Sequence, residues 1–369
     1  MGSRWRAVWI AALLYAVVSG ADDSPQLMGH RMKLWYNSHL SCANNTASNL
    51  LLSIIVTTTN VAPRDQLDRL QLQIDNLEHY SSQLSLSTRL EYIIVEYNYS
   101  PDAPALRAQL RFEASASHLV RIIRVSREWH DLISTRIGFT GRIDFNEFYA
   151  KNIGIRRACA PFVMVTASDI LFPESFYRHL SEGTLLESAF YRAPRCNVEV
   201  DQNALANKSS PERVSISQQN ITQCWVCTGH GHIDYYRKNM GSSSLPASGR
   251  TRAECIGGTG DFLIMSRNRW TKYRGFPDVA LHHVLDDVPL YQAVADGAQL
   301  ISFPSPTAAL HINHKKGYRT DDRFNLDSQM LRAFAIQEDC KTMMEERKLR
   351  VFNDESWGLA HQVLPEDWI

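Results

Sequence analysis

Short, continuous apolar runs alternate along this chain with longer stretches of helical periodicity. Leu51 to Thr57 (LLSIIVT) predicts a first strand. Leu67, Leu70, Ile74 and Leu77 recur three and four apart, which predicts an amphipathic helix over Arg64 to Leu84. Leu90 to Val95, ending at Glu96, predicts a second strand, and Val120 to Val125 a third. Glu147 to Ala158 carries Ala150, Ile153 and Ala158 at near-helical spacing. It leads into Phe162 to Thr166, an apolar run of the kind found in strands covered on both faces. Strand, helix and strand repeated in this order predict an α/β fold: a mostly parallel sheet with helices on both faces.

The second half is less regular. Asn197 to Glu254 is rich in Ser, Asn and Gln and reads as an inserted surface region near the mouth of a site. Gly257 to Met265 (GGTGDFLIM) resumes the core, followed by a loop, Arg274 to Asp278. Asp286 and Asp287 open a helix that runs through Ala295, where acidic residues suit the first turn, and Gly297 ends it. Leu300 to Phe303 reads as the last strand, and Asp327 to Phe352 as a charged helix packed outside the sheet. The chain divides into a leader (1–21), a lead-in segment (22–50), a main domain (51–320, with the insertion at about 197–254) and a C-terminal helical extension (321–369). There is no internal repeat.

Composition changes this picture in three places. With 44% hydrophobic and 21% charged residues, a chain of 369 can bury a sizeable core. Lys+Arg and Asp+Glu are both 39, a balance that gives no support for a nucleic-acid partner. Arg4 and Arg6 precede an apolar run, Ala7 to Val18, and small residues at Ser19-Gly20-Ala21 precede Asp22. That is the layout of a cleaved secretory leader. An uncleaved anchor is the alternative, but the run is shorter than the ~20 apolar residues that span a bilayer, and no later segment is long enough.

Entry to the secretory lumen (Golgi or ER), or secretion, agrees with glycosylation sequons at Asn44, Asn98, Asn207 and Asn220. In an oxidising lumen most of the seven cysteines should pair. Cys159, at the entrance to a core strand, is expected to be a free buried thiol. Cys196, Cys224, Cys227 and Cys255 are expected to pair among themselves, in one of three connectivities. Cys224-x-x-Cys227 with His230 and His232 also has a zinc-like spacing, against which the disulfide reading is stronger.

The candidate chemistry centres on Ala167-Ser168-Asp169, just past the Phe162 strand. An acid there stands where open α/β sheets form their ligand crevice. Asp169 is expected to hold a divalent metal that holds a diphosphate; the plainer alternative is a turn cap. Thr58-Thr59-Asn60 follows the first strand with no glycine-rich turn, which argues against a dinucleotide enzyme.

The order of these segments resembles the GT-A class of nucleotide-sugar glycosyltransferases, of the inverting family 2 type. Four segments between about Leu51 and Arg319 carry the resemblance. SIIVTTTN and EYIIVEYN resemble the first two strands and their nucleotide-facing ends. AKNIGIRRA through TASDILFP resembles the Asn-x-Gly helix and the Asp-x-Asp strand, with Ala167 in place of the first acid. GGTGDFLIMSRNRW, RGFPD and LDDVPLYQAVADG resemble the closing half.

The resemblance implies a Rossmann-like GT-A fold that moves a sugar from a nucleotide-sugar donor to a hydroxyl of a glycan or glycoconjugate acceptor. It implies Mn2+ or Mg2+ on Asp169, with His311 a second ligand, and His314, Lys315 and Lys316 near the diphosphate. Thr58 and Glu96 would face the nucleotide, Lys151 and Asn152 the sugar or diphosphate, and Gly258, Gly260 and Asp261 the donor sugar. An inverting transfer needs a base for the acceptor hydroxyl, and Asp287 is favoured over Asp286 for that role. The other readings are a helix cap for the acidic pair, a solvated helix face for Lys151 and Asn152, and a structural His311. A non-catalytic nucleotide-sugar or glycan-binding relative is the alternative for the whole chain.

Overall fold

A computed structural model describes residues 49–369 except 87, 114–119, 139–143, 184, 194, 206–207, 219–220, 226–258, 280–284, 304–306 and 315–326. The leader, most of the lead-in segment, the sequons at 44, 207 and 220, Gly258, Lys315, Lys316, Cys227, Cys255 and the nearby histidines lie outside the described residues. Contacts divide the chain into two units, and the larger, Ser48–Ala360 with Leu364–Ile369, holds all the features below. Of the smaller unit only 361–363, without regular secondary structure, are described.

The main sheet has eight strands in the order β10-β6-β9-β4-β1-β2-β3-β12. Strands β1 (Leu52–Thr58), β2 (Leu90–Tyr99), β3 (Val120–Ser126) and β4 (Phe162–Val165) run parallel, as their continuous apolar runs predict. Alternate residues of β1 feed two cores. Leu52, Ile54 and Val56 pack with helix α1 (Arg64–Gln83) on one face, and Ile55 packs on the other against Ile153 of a later helix.

Two strands depart from the parallel scheme. Strand β9 (Leu263–Ser266) lies antiparallel between β4 and β6 (Ala189–Arg192). At the far edge β12 (Glu366–Trp368) pairs antiparallel with β3. The end of the chain, expected to be a helical extension, therefore also adds an edge strand to the sheet. There Arg121, fully buried, pairs with Glu91 and with Glu366 at 3.1 Å, under the ring of Trp368.

Strand β10 (Gln299–Ser302) is not the last strand of the chain. A second sheet of four, in the order β5-β11-β7-β8, contains β5 (Ile170–Leu171), β7 (Arg195–Val198), β8 (Ile221–Trp225) and β11 (Ala309–Ile312). Strand β7 runs into the stretch expected to be a surface insertion, and β8 lies within it. Strand β7 pairs with β11 and β8 with β7, which makes that stretch part of the framework.

The remaining described helices are α2 (Leu106–Gln109), α3 (Arg127–Arg136), α4 (Glu147–Arg157), α5 (Glu174–Ser181), α6 (Gln202–Leu205), α7 (Ser210–Ser217), α8 (Arg267–Tyr273), α9 (Val288–Ala295) and α10 (Asp327–Glu346). Among the described residues no helix is long and apolar enough to cross a membrane.

One expectation about the cysteines is corrected. Cys159 is disulfide-bonded, as is Cys196, and the free buried thiol among the described residues is Cys340, on α10. The side-chain amide of Asn98 donates to Asp144 O at 2.7 Å.

Candidate metal and nucleotide-sugar site

The carboxyl ends of the parallel strands gather the candidate residues along one edge of the main sheet. At the ends of β1 and β2, Thr58 and Glu96 are register partners, both buried. Glu96 Oε1 accepts from Leu106 N at 3.0 Å, while its Oε2 and the hydroxyls of Thr58 and Thr59 are buried with no hydrogen-bond partner. Burial raises the Glu96 carboxyl, against the Leu106 amide and Arg124. Buried polar atoms left unpaired are costly, so three at one strand edge mark a place built to receive polar groups.

One strand further along, β4 ends and the chain turns through Asp169 into β5. Pairing of β5 with β11 places His311 opposite Ile170, and Ile312 N donates to Asp169 O at 2.9 Å. The side chains follow the backbone. His314 Nε2 lies 2.8 Å and His311 Nε2 3.5 Å from Asp169 Oδ2. The potential ligand atoms of these three residues lie within 4.8 Å of one another. Burial pushes the Asp169 carboxyl up, but the two imidazoles outweigh it and hold it well below the usual carboxylate range. Asp169 Oδ1 and His311 Nδ1 are buried without a hydrogen-bond partner. A converging O,N,N donor set with an unused buried carboxylate oxygen fits a divalent metal ion.

His314 is the member that sequence reading assigned to the diphosphate. It stands three residues past His311, beyond the end of β11, where strand periodicity no longer says which way a side chain turns.

Asp261 sits just before β9, whose start lies beside the end of β4. Its Oδ2 accepts from Arg195 Nη1 at 2.5 Å, and its backbone carbonyl accepts from Thr166 Oγ1 at 2.7 Å. Burial raises its carboxyl; Arg195 opposes this, and the charges of Asp169 and Asp286 add to it. The candidate acids thus share one electrostatic environment.

Lys151 projects from α4 with only 1% of its side chain exposed. Its Nζ is 2.6 Å from Glu147 Oε1 and 3.5 Å from Asp286 Oδ1. Burial works against the ammonium, yet Glu147 and Asp286 raise its pKa above the ordinary lysine value. The solvated-face alternative is therefore excluded for Lys151, and its visible role is to hold Asp286. Gly260 faces the same carboxylate: a Cβ there would meet Asp286 Cγ at 2.9 Å. The close approach that Gly260 permits is to Asp286.

Asp287 occupies the N-cap position of α9 but makes no side-chain capping hydrogen bond. Its charge acts on Arg192, at the end of β6, whose guanidinium burial lowers to about 10.

Asn152 does not face this group of residues. Its Nδ2 donates to Phe276 O at 2.8 Å and Asp278 Oδ1 at 3.0 Å, and its Oδ1 accepts from Phe276 N at 2.8 Å. Both amide protons and the oxygen are engaged, so Asn152 clasps the loop after α8 in place of the expected sugar or diphosphate.

No protein-family model matches the chain, and no curated protein matches it. Among solved structures it is similar to S. aureus TarS 1–349, at 12% identity and TM-score 0.39, over 71% of this chain and 60% of that one. It is also similar to S. aureus TarS 1–349 in complex with UDP-GlcNAc, at 10% and 0.42, over 81% and 71%. A mycobacterial protein is similar at 10% and 0.40, over 87% and 84%. The chain spans less than two thirds of the first of these, and a likeness at this level does not reach the site.

Chemically, the edge offers an Asp-His-His group able to hold a metal ion, a buried carboxylate oxygen of Glu96 without a hydrogen-bond partner at the end of β2, and an acidic pair whose members have different surroundings. Asp286 is held by a buried ammonium. Asp287 is not tied into its helix by a side-chain cap. Gly258 lies outside the described residues.

Proposed function

We propose that this chain is a metal-dependent nucleotide-sugar glycosyltransferase of the secretory lumen that transfers with inversion to a hydroxyl of a glycan or glycoconjugate. The observation that carries the reading is the convergence of Asp169, His311 and His314 at the carboxyl edge of a mainly parallel sheet. An ion held there would act as a Lewis acid toward the departing diphosphate. Two imidazoles with one carboxylate suit Mn2+ better than Mg2+, which favours an all-oxygen shell.

The chain's own residues divide the remaining work. Thr58 and Glu96, with their unpaired buried oxygens, bind the nucleoside end of the donor. Asp261, fixed by Arg195, lines the sugar. Asp287 takes the proton of the attacking hydroxyl. What supports Asp287 over Asp286 is the occupation of Asp286 by Lys151 and Gly260.

The test is hydrolysis of a panel of uridine and guanosine diphosphate sugars by the full chain with Mn2+ added or withheld. At least one donor should be cleaved only with Mn2+, and Asp169→Ala should be inactive. Failure to cleave or bind any donor under either condition would overturn the reading.

A further inference from the structure

Helix α1 carries an unusual number of buried polar side chains: Gln71, Gln73, Asp75, Asn76 and Glu78. Gln73 stands three residues past Leu70 and four before Leu77, where the helical repeat would place an apolar residue. Its Nε2 donates to Ala167 O at 2.9 Å and to Ile170 O at 2.5 Å, and its Oε1 accepts from Tyr92 OH at 2.5 Å. Both amide protons and the oxygen are therefore used, in a setting where Gln73 and Tyr92 are each 1% exposed.

The two carbonyls that Gln73 joins stand on either side of Asp169. One amide group binds the start and the end of the turn that presents this carboxylate. Ile312 N also donates to Asp169 O, which ties the same turn to the strand carrying His311. The metal-binding turn is thus gripped between a helix and a strand, and the helical grip is a single side chain whose rotamer is set by Tyr92 on β2. Asn76, one turn further along α1, makes a separate clasp beyond the site: its side chain donates to Phe172 O at 3.0 Å and accepts from Phe172 N at 3.1 Å.

We propose that Gln73 is a positioning residue for the metal centre, oriented by Tyr92, and that it sets the distance from the Asp169 carboxylate to His311 and His314. The proposal rests on the metal reading above. Losing an outer-shell partner that orients a ligand commonly weakens metal affinity roughly 10–100-fold. Gln73→Met keeps length and helix propensity but removes every hydrogen bond, so the turn should keep its place in the chain and lose its fixed shape.

The test is calorimetric titration of the full-length protein with Mn2+ alone, with the electron paramagnetic resonance spectrum of bound Mn2+ as a second readout. Wild type should bind. Gln73→Met should bind about 10–100-fold more weakly, with an altered spectrum. Asn76→Ala should lower the melting temperature yet leave the wild-type spectrum and affinity. Equal affinity in wild type and Gln73→Met would overturn the positioning role while leaving the metal site standing. Equal weakening in Gln73→Met and Asn76→Ala would overturn it as well, because general loosening then suffices. If wild type does not bind Mn2+, the metal reading falls and this proposal with it. Should Gln73→Met not fold, Tyr92→Phe decides: weakened binding supports the proposal and unchanged binding overturns it.

Discussion

Replacing Lys151 by Met should expose how much of the site's order depends on one buried charge. The Lys151 ammonium stands between Glu147 at 2.6 Å and Asp286 at 3.5 Å, and these carboxylate side chains are themselves only 11% and 12% exposed. Methionine fills most of the volume but leaves both acids without that counter-charge. Removing one member of a buried pair costs about 3–5 kcal/mol. At about 2 °C per kcal/mol for a domain of this size, the melting temperature should fall by about 6–10 °C near neutral pH.

The pH dependence has a definite sign. The pKa of Lys151 is raised in the folded protein, so its contribution is fully present below the ordinary lysine value and is lost only as pH rises through the folded one. In the variant a proton on either carboxyl relieves the unpaired charge, so the deficit should shrink on acidification. Thermal melts of both proteins at about pH 5 and about pH 8 provide the assay. A second substitution, Glu147→Gln, should recover part of the loss. Melts within about 1 °C of wild type at both pH values would refute the claim that this lysine is a buried structural counter-ion.

Other outcomes follow from single contacts. Asp287→Asn should leave donor affinity near wild type and slow single-turnover transfer roughly 10²–10⁴-fold, the usual worth of a general base; unchanged turnover would move the base elsewhere. Gly275→Ala should destabilise by more than the ~1–2 kcal/mol of a left-handed backbone, because φ is +72° and a Cβ would fall 2.1 Å from Asn152 Oδ1; a melt like wild type would contradict this. Burial raises Asp278 to about 6 against the pull of Arg136, so its contribution is present below the ordinary carboxylate range and lost as pH rises through about 6. Asp278→Asn should therefore gain on wild type by on the order of 3 kcal/mol between about pH 4 and pH 7, measured by denaturant melts, and a pH-independent difference would exclude it.

The main sheet was legible because strands buried on both faces must be continuously apolar. The LLSIIVT and FVMVT runs mark β1 and β4 to within a residue. The antiparallel direction of β9 was not legible, since a short apolar run carries no direction. Nor was β12, a three-residue edge strand rich in charge whose partner lies more than two hundred residues away. The second sheet escaped notice because β5 has only two residues and β7 begins a polar stretch.

At the site, Asp169 stands just past a strand as its local pattern predicts, whereas His311 lies within β11 and was expected only from the resemblance, and the place of His314 depends on how the chain turns beyond β11. Lys151 and Asn152 are neighbours on α4, and periodicity could not show that one would meet Asp286 and the other the Phe276 loop. Gln73 looked like an ordinary polar position in an amphipathic helix. Its partners are backbone carbonyls more than ninety residues away, which no local pattern encodes.

The central claim is that Asp169, His311 and His314 hold a metal that in turn holds a nucleoside diphosphate. Calorimetric titration of the full-length protein with uridine or guanosine diphosphate, in the presence and absence of Mn2+, tests it most directly, with Asp169→Ala and His314→Ala alongside. The account predicts binding of one of the two nucleotides that requires Mn2+ in wild type and is lost in both variants, while the variants still melt cooperatively. Nucleotide binding of equal strength with and without Mn2+, or Mn2+-dependent binding that survives in folded Asp169→Ala, would contradict it.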